Sequence, residues 1–309
     1  MQNKKKALII LLALPALLAA QKTYTYQGGR ISLKDHKVTV THVGNLLKDY
    51  KQSFQGMDIW GDTLVSLQHT GMASLYRFDG SRLERFAQFP LGSFGNNHAN
   101  VASFSRRFLY PGDKLPLLYV TRCRYVAEDS LHQLLYVERI NPDTKSSELV
   151  QTIAYKEPAA TQQHTTQWVL DNENGFLYGF GNTWESTGNR HFLRKFRIPA
   201  YNGPQDSLKV LTQADLLEDY YLEDYYNVRP FQPTIQGMHV KNGLLFLPMG
   251  VGTQSRPSVL YIWNLGTRSM QAAIDLQEAI PHEMEDCAEY KNDLIVQVQK
   301  HIYKISFEE

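Results

Sequence analysis

Five polar residues stand at one equivalent position of a repeating pattern: Gln55, Asn100, Gln167, Gln236 and Glu285. Carboxamides and a carboxylate supply hydrogen-bond donors and acceptors, the chemistry that hydroxyl groups need, and convergent polar groups in a concavity define a binding site. His98, His164, Thr165, Thr234 and Glu283 lie just upstream of these positions and share their rim. The predicted ligand-binding set is therefore Gln55, His98, Asn100, His164, Gln167, Gln236 and Glu285. A second explanation stays open, in which the polar positions bind ordered water and finish strand ends, and the Gln-Gly pairs permit a tight strand start.

Catalysis is harder to read. Glycoside hydrolysis needs two carboxylates flanking one bond, about 5–5.5 Å apart for retention and 6.5–9.5 Å for inversion. Asp58, Glu283, Glu285 and Asp286 are the acids available for it, but three of the four come from one repeat, whereas a pair spanning a sugar should come from two. No catalytic residue is assigned, and hydrolysis stands as a second reading. Gly-x-Ser-x-Gly, His-Glu-x-x-His and Walker patterns are absent from the sequence, against serine-hydrolase, zincin and nucleotide chemistry. No cofactor or metal is assigned. A calcium or other divalent ion would rest on His98, His164, Glu283 and Glu285, no two of which have zinc-type local spacing. His69 and His239 fall within hairpins and read as satisfied side chains.

The elements that position these groups are short strands. Gln55-Gly56-Met57-Asp58-Ile59-Trp60-Gly61-Asp62 leads to Leu64–Leu67, and Gln236-Gly237-Met238-His239-Val240-Lys241-Asn242-Gly243 leads to Leu244–Leu247. Each is a strand, a glycine-containing turn and a second strand. A third and a fourth apolar run follow in both: Leu75–Phe78 and Leu83–Phe89, then Val259–Trp263 and Met270–Leu276. Four antiparallel strands repeated along a chain are the pattern of a propeller blade. Gln167–Leu170 with Phe176–Phe180 and Phe192–Ile198 opens another unit, and Asn100–Phe104 with Leu117–Cys123, Leu134–Ile140 and Glu148–Tyr155 forms the least regular one. Glu285–Tyr290, Leu294–Val298 and His301–Phe307 end the chain one strand short.

The missing strand is Lys37–Val43, which has no hairpin partner nearby, and joining first and last segments in one sheet closes the ring and hides its edges. The expected fold is all-β, a five-bladed β-propeller of four-stranded antiparallel blades closed by the N-terminal strand. Repeat spacings of 45, 67, 69 and 49 residues place an insertion at about 199–233. Its doubled Leu-Glu-Asp-Tyr-Tyr, residues 217–226, reads as a short acidic helix on the rim, either a solvated cap or a docking surface for a protein partner through residues 211–228. Inner-strand alternation sends Met57, Ala102, Val169, Met238 and Cys287 away from the polar set.

Of the 309 residues, 43% are hydrophobic and 20% charged, the mix of a globular chain with a large core. The 32 basic and 31 acidic residues leave no basic excess for a phosphate backbone, against a nucleic-acid partner. Lys4–Lys6, the apolar run Ala7–Ala20 and the small residues before Gln21 have the layout of a secretory signal peptide. The domain reading is a signal peptide, 1–20, and one propeller, 21–309, which is secreted or periplasmic or surface-associated and has no membrane span after cleavage. Removing the signal takes three lysines and no acid, leaving 29 basic against 31 acidic residues. Cys123 and Cys287 fall in separate units and are read as free, buried thiols.

The Gln-Gly-Met openings, His98-Ala99-Asn100 followed by Leu117–Val120, and Glu283-x-Glu285-Asp286 followed by a Leu-Ile-Val strand resemble a family of bacterial and phage β-propellers. That family includes teichoic-acid biosynthesis protein C and receptor-binding proteins of phages that attack Gram-positive cells. The resemblance runs from about Val38 onward and implies a five-bladed platform that recognises a cell-envelope glycan or glycopolymer. This chain departs from the phage members in its signal-like leader and in lacking stem or trimerising segments. Its expected function is carbohydrate binding at the channel mouth without turnover, with Trp184 and Tyr201 as candidate sugar-stacking rings. A glycan-active hydrolase and an inert interaction scaffold are the alternatives.

Overall fold

In the computed structural model the described residues are 38–47, 53–123, 131–158, 166–183, 188–225 and 235–307. The predicted leader, His164, Thr165, Trp184 and Thr234 lie outside them. Alternating short strands turn through tight hairpins into five separate sheets. At Asn242-Gly243 both turn residues have positive φ, 51° and 71°, the two-residue geometry whose twist matches that of its strands.

Blade one is Phe54–Trp60, Thr63–Gln68, Met72–Phe78 and Leu83–Pro90, paired antiparallel in chain order. Blade four repeats this plan with His239–Lys241, Leu244–Met249, Val259–Asn264 and Ser269–Asp275. Blade five is Asp286–Tyr290, Asp293–Val298 and His301–Phe307, completed by Val38–Asn45 from the N-terminal side. Val38 pairs with Phe307 and Asn45 with His301, so the ring closes as expected.

Blades two and three depart from the simple plan. Blade two begins with a three-residue inner strand, Ala102–Phe104, and continues through Leu118–Thr121, Leu134–Asn141 and Ser146–Tyr155. It is one sheet and gains a fifth strand, Leu208–Leu211, parallel to Ser146–Tyr155. Blade three is Gln167–Asp171, Phe176–Asn182, His191–Arg197 and Glu218–Tyr221. The insertion thus supplies outer strands to two neighbouring blades. Among its described residues the expected acidic helix is absent. The first Leu-Glu-Asp-Tyr-Tyr copy pairs with Phe192–Lys195 as a strand, and the second opens with a single 3-10 turn, Leu222–Asp224. Pairing wins because it buries Tyr220 and gives the edge of blade three its hydrogen bonds, which a lone helical turn could not.

The apolar core is divided into five clusters, one in each seam between adjacent blades. Leu64 and Ile295 pack between blades five and one, Val65 and Val120 between one and two, and Tyr119 and Phe196 between two and three. Phe180 and Trp263 fill the seam of three and four, Ile274 and Val296 that of four and five. Strands buried on both faces explain why the apolar runs are near-continuous. Met57, Ala102, Val169, Met238 and Cys287 are all buried in these seams, as expected from alternation. Neither cysteine forms a disulfide, and Cys287 is buried as expected. Cys123 is only half-buried, because it ends the outward run after the second strand of blade two.

Candidate functional site

The five inner strands start at one end of the ring, and their first polar side chains meet there in two groups. Asn100 Nδ2 donates to Gln167 Oε1 at 2.8 Å, and Gln167 Nε2 donates to the Ile235 carbonyl at 3.2 Å. Opposite them, Gln55 Nε2 donates to Glu285 Oε2 at 3.2 Å and Gln236 Nε2 to Glu283 Oε1 at 2.6 Å. Gln55, Asn100, Gln167, Gln236 and Glu285 are all buried, and Glu283 is half-buried. His98 sits at the seam of blades one and two, its N–H bonded to the Arg122 carbonyl and its ring 6.1 Å from that of His69. Among the described residues, four of the seven predicted ligand-binding positions therefore cross-link in pairs, Asn100 with Gln167 and Gln55 with Glu285, while Gln236 bonds Glu283 outside that set.

A cleft of about 440 Å³ opens at this end between blades five and one, lined by residues 53–55, Glu283, Glu285, Gln299 and Lys300. Its size falls in the range of small-molecule sites. Each of its two acidic side chains has one oxygen held by a carboxamide. Burial, reinforced by the charges of Glu283 and Asp286, pushes the Glu285 carboxyl well above the usual carboxylate range.

Below the mouth, Asp286 is fully buried and organises the ring. Its Oδ2 accepts the N–H groups of Met57 at 2.8 Å and Ala102 at 3.1 Å; its Oδ1 accepts those of Met238 at 3.0 Å and Cys287 at 2.9 Å. Four of the five aligned apolar positions thus donate their backbone to one carboxylate and tie blades one, two, four and five together. Burial still holds its pKa well above normal, against the lowering effect of these donors.

The Gln-Gly pairs follow from this crowding. A Cβ on Gly237 would stand 2.0 Å from Asp286 Oδ1, and one on Gly56 would stand 2.6 Å from the Ala99 carbonyl that its own N–H binds at 2.7 Å. Asp58 is a second buried carboxylate, accepting from the Ile59 and Phe104 backbones, with its pKa raised by desolvation to about 7. Asp58 and Asp286 are engaged by backbone N–H groups, whereas Glu283 and Glu285 line the cleft.

Tyr201 lies elsewhere. It packs in the seam of blades two and three, its carbonyl accepts from Arg107, and Arg107 follows the far end of the inner strand of blade two. It is thus remote from Asn100 and cannot stack on a ligand at the mouth. His69 and His239 are not the satisfied side chains expected, since Nδ1 of the first and Nε2 of the second are buried without a partner.

Sequence reasoning missed Gln297, Gln299 and Lys300. Gln297 is fully buried, donates to the Gln55 carbonyl and accepts from Ser66 Oγ at 2.6 Å, which fixes the floor of the cleft. The signal was a lone amide inside Leu294-Ile295-Val296-Gln297-Val298, since a polar group in a buried run requires a partner.

No family model and no curated protein sequence matches the chain. In fold it is similar to the glutaminyl cyclase of Myxococcus xanthus, with a TM-score of 0.53 and 11% identity over 88% of this chain and 98% of that one. A protein of unknown function from Bacteroides thetaiotaomicron gives 0.47 and 10% identity over 89% and 77% of the two chains. The WD40 β-propeller domain of Doa1 gives 0.44 and 11% over 88% and 98%. At these identities the likeness is one of fold. The chain is a five-bladed β-propeller. Among its described residues no helix is long and apolar enough to cross a membrane, and no group of three or more His, Cys, Asp or Glu is arranged to hold a metal ion.

Proposed function

We propose that this propeller is exported and binds a glycan or glycopolymer of the cell envelope or surroundings in the cleft between blades five and one, without turnover. The observation that carries this reading is the cleft itself, whose amide-held carboxylates and exposed Lys300 present fixed acceptors beside a donor. Groups held by one another lose little freedom when they bind a polyol, so the hydrogen bonds they form are not offset by ordering. The signal-like leader and the resemblance to envelope-glycan propellers support a ligand outside the cytoplasm.

The raised pKa of Glu285 favours one alternative, a hydrolase in which this carboxyl is the general acid. Titration of the exported chain with a panel of wall glycopolymers and neutral oligosaccharides, followed by calorimetry and by reducing-end release, separates the two. Binding with no release, weakened about tenfold by Lys300→Ala or Glu283→Ala, is the expected result. Release abolished by Glu285→Gln establishes the hydrolase, and indifference to the whole panel overturns the glycan reading.

A further inference from the structure

A cavity at the opposite end of the ring from the amide mouth belongs neither to the cleft nor to its supports. It opens in the seam of blades four and five, where their inner strands finish at Lys241 and Tyr290, and has a volume of about 240 Å³. Leu244, Phe246, Leu294 and Phe307 form its apolar wall. Leu244 and Phe246 are half-buried against the core of this seam and Phe307 is exposed, so apolar surface continues here from the core into open space.

One polar atom breaks this wall. Nε2 of His239, a residue that also lines the cavity, is buried with no hydrogen-bond partner, and its ring stands 6.5 Å from that of Phe246. A buried polar atom left in this way is costly, and it marks the place where a bound group completes the bond. Burial, with Lys241 adding to it, lowers the pKa of His239 to about 4, so the ring is neutral near pH 7. The charged groups at the rim answer one another. Lys241 Nζ lies 3.0 Å from Glu289 Oε2 and 3.5 Å from Glu173 Oε1, and Lys304 Nζ lies 3.7 Å from Asp293 Oδ2.

We infer that this cavity binds a small neutral phenol, with its ring on the apolar wall and its hydroxyl on His239 Nε2. Size argues for a single ring: an apolar cavity of about 150 Å³ holds benzene, so 240 Å³ takes a ring with a substituent. The hydroxyl follows from the imidazole. Nε2 of a neutral ring accepts or donates according to tautomer, and a hydroxyl serves both. An aromatic ring suits Phe246 and Phe307, whose edges and faces pair with another ring. Both carboxylates of the lining already have a lysine, so a charged ligand gains little over a neutral one.

The test is titration of the exported chain with p-cresol, followed by calorimetry and by the 15N resonances of the histidine rings. One equivalent is expected to bind with a Kd of about 0.3 mM and to shift the Nε2 resonance of His239. Toluene keeps the ring and lacks the hydroxyl, and should bind about tenfold more weakly. His239→Phe keeps a ring in place and removes Nε2, so it should lose that preference for p-cresol. Melting near the wild-type temperature confirms that this variant is folded, and the comparison of the two ligands on wild type needs no variant. Equal affinity of wild type for p-cresol and toluene, a preference that survives in folded His239→Phe, or a His239 resonance unmoved up to about 5 mM p-cresol overturns the inference.

Discussion

The two halves of the channel mouth use aligned positions for opposite ends. On the side of blades two and three, Asn100 and Gln167 close on each other and on the Ile235 carbonyl, so neutral amide meets neutral amide. On the side of blades one, four and five, Gln55 and Gln236 meet Glu285 and Glu283, and a carboxylate has a second oxygen that one amide cannot use. The first half is structural cement and the second keeps acceptors in an open cleft. A shared position in a repeat therefore specifies where a side chain points, and the partner's chemistry decides whether it remains available.

The largest effect should come from the carboxylate beneath both halves. Asp286→Ala would leave four buried N–H groups without an acceptor, each worth about 1–3 kcal/mol, so the variant should lose more than about 5 kcal/mol and fail to accumulate as folded protein. Denaturant unfolding of purified protein, or its soluble yield, is the measurement. If Asp286→Ala melts near the wild type, four blades are not held by this group and the contrast between the halves loses its foundation.

Charge sharpens the comparison next, because the open half rests on buried acids. Burial raises Asp58 from 3.8 to about 7, and Glu285 and Asp286 move in the same direction. The folded state then holds these protons more tightly than the unfolded chain. The contribution of Asp58 is fully present below about pH 4 and is lost as pH rises through 7, which amounts to about 3 kcal/mol between pH 5 and pH 8, and Glu285 and Asp286 act with the same sign. The melting temperature should fall across that interval, and Asp58→Asn should flatten part of the slope. A variant with the wild-type slope would place the titration elsewhere.

Much of the ring was legible because its signals are local. Hairpin turns, apolar alternation and the lone Val38–Val43 run give five blades and the closure, and the aligned residues Met57, Ala102, Met238 and Cys287 are in true register, as their shared acceptor demonstrates. What stayed hidden depends on distances across the ring. Asp286 reads in sequence as one acid among several, and nothing local reveals that four backbones converge on it. Residues 217–226 read locally as helix because the pairing partner of Glu218–Tyr221, Phe192–Lys195, lies more than twenty residues upstream. The cleft, in turn, needs Lys300 and Gln299 from a hairpin that the repeat alignment left without a role.

The smallest effects divide the halves most cleanly. Asn100→Ala removes the donor to Gln167 in a buried amide pair and should cost about 1–2 kcal/mol of stability while leaving glycan affinity unchanged, since neither residue lines the cleft. Glu283→Ala reverses the pattern. Glu283 is half-buried and its truncation opens the pair to water from the cleft, so stability should fall less than in Asn100→Ala while affinity falls. Melting curves and calorimetry on the two variants form a crossed pair in which each serves as the other's control. If both variants lose affinity in proportion to stability, the mouth is one coupled network; if the losses separate, the same ring of amides carries a structural half and a binding half.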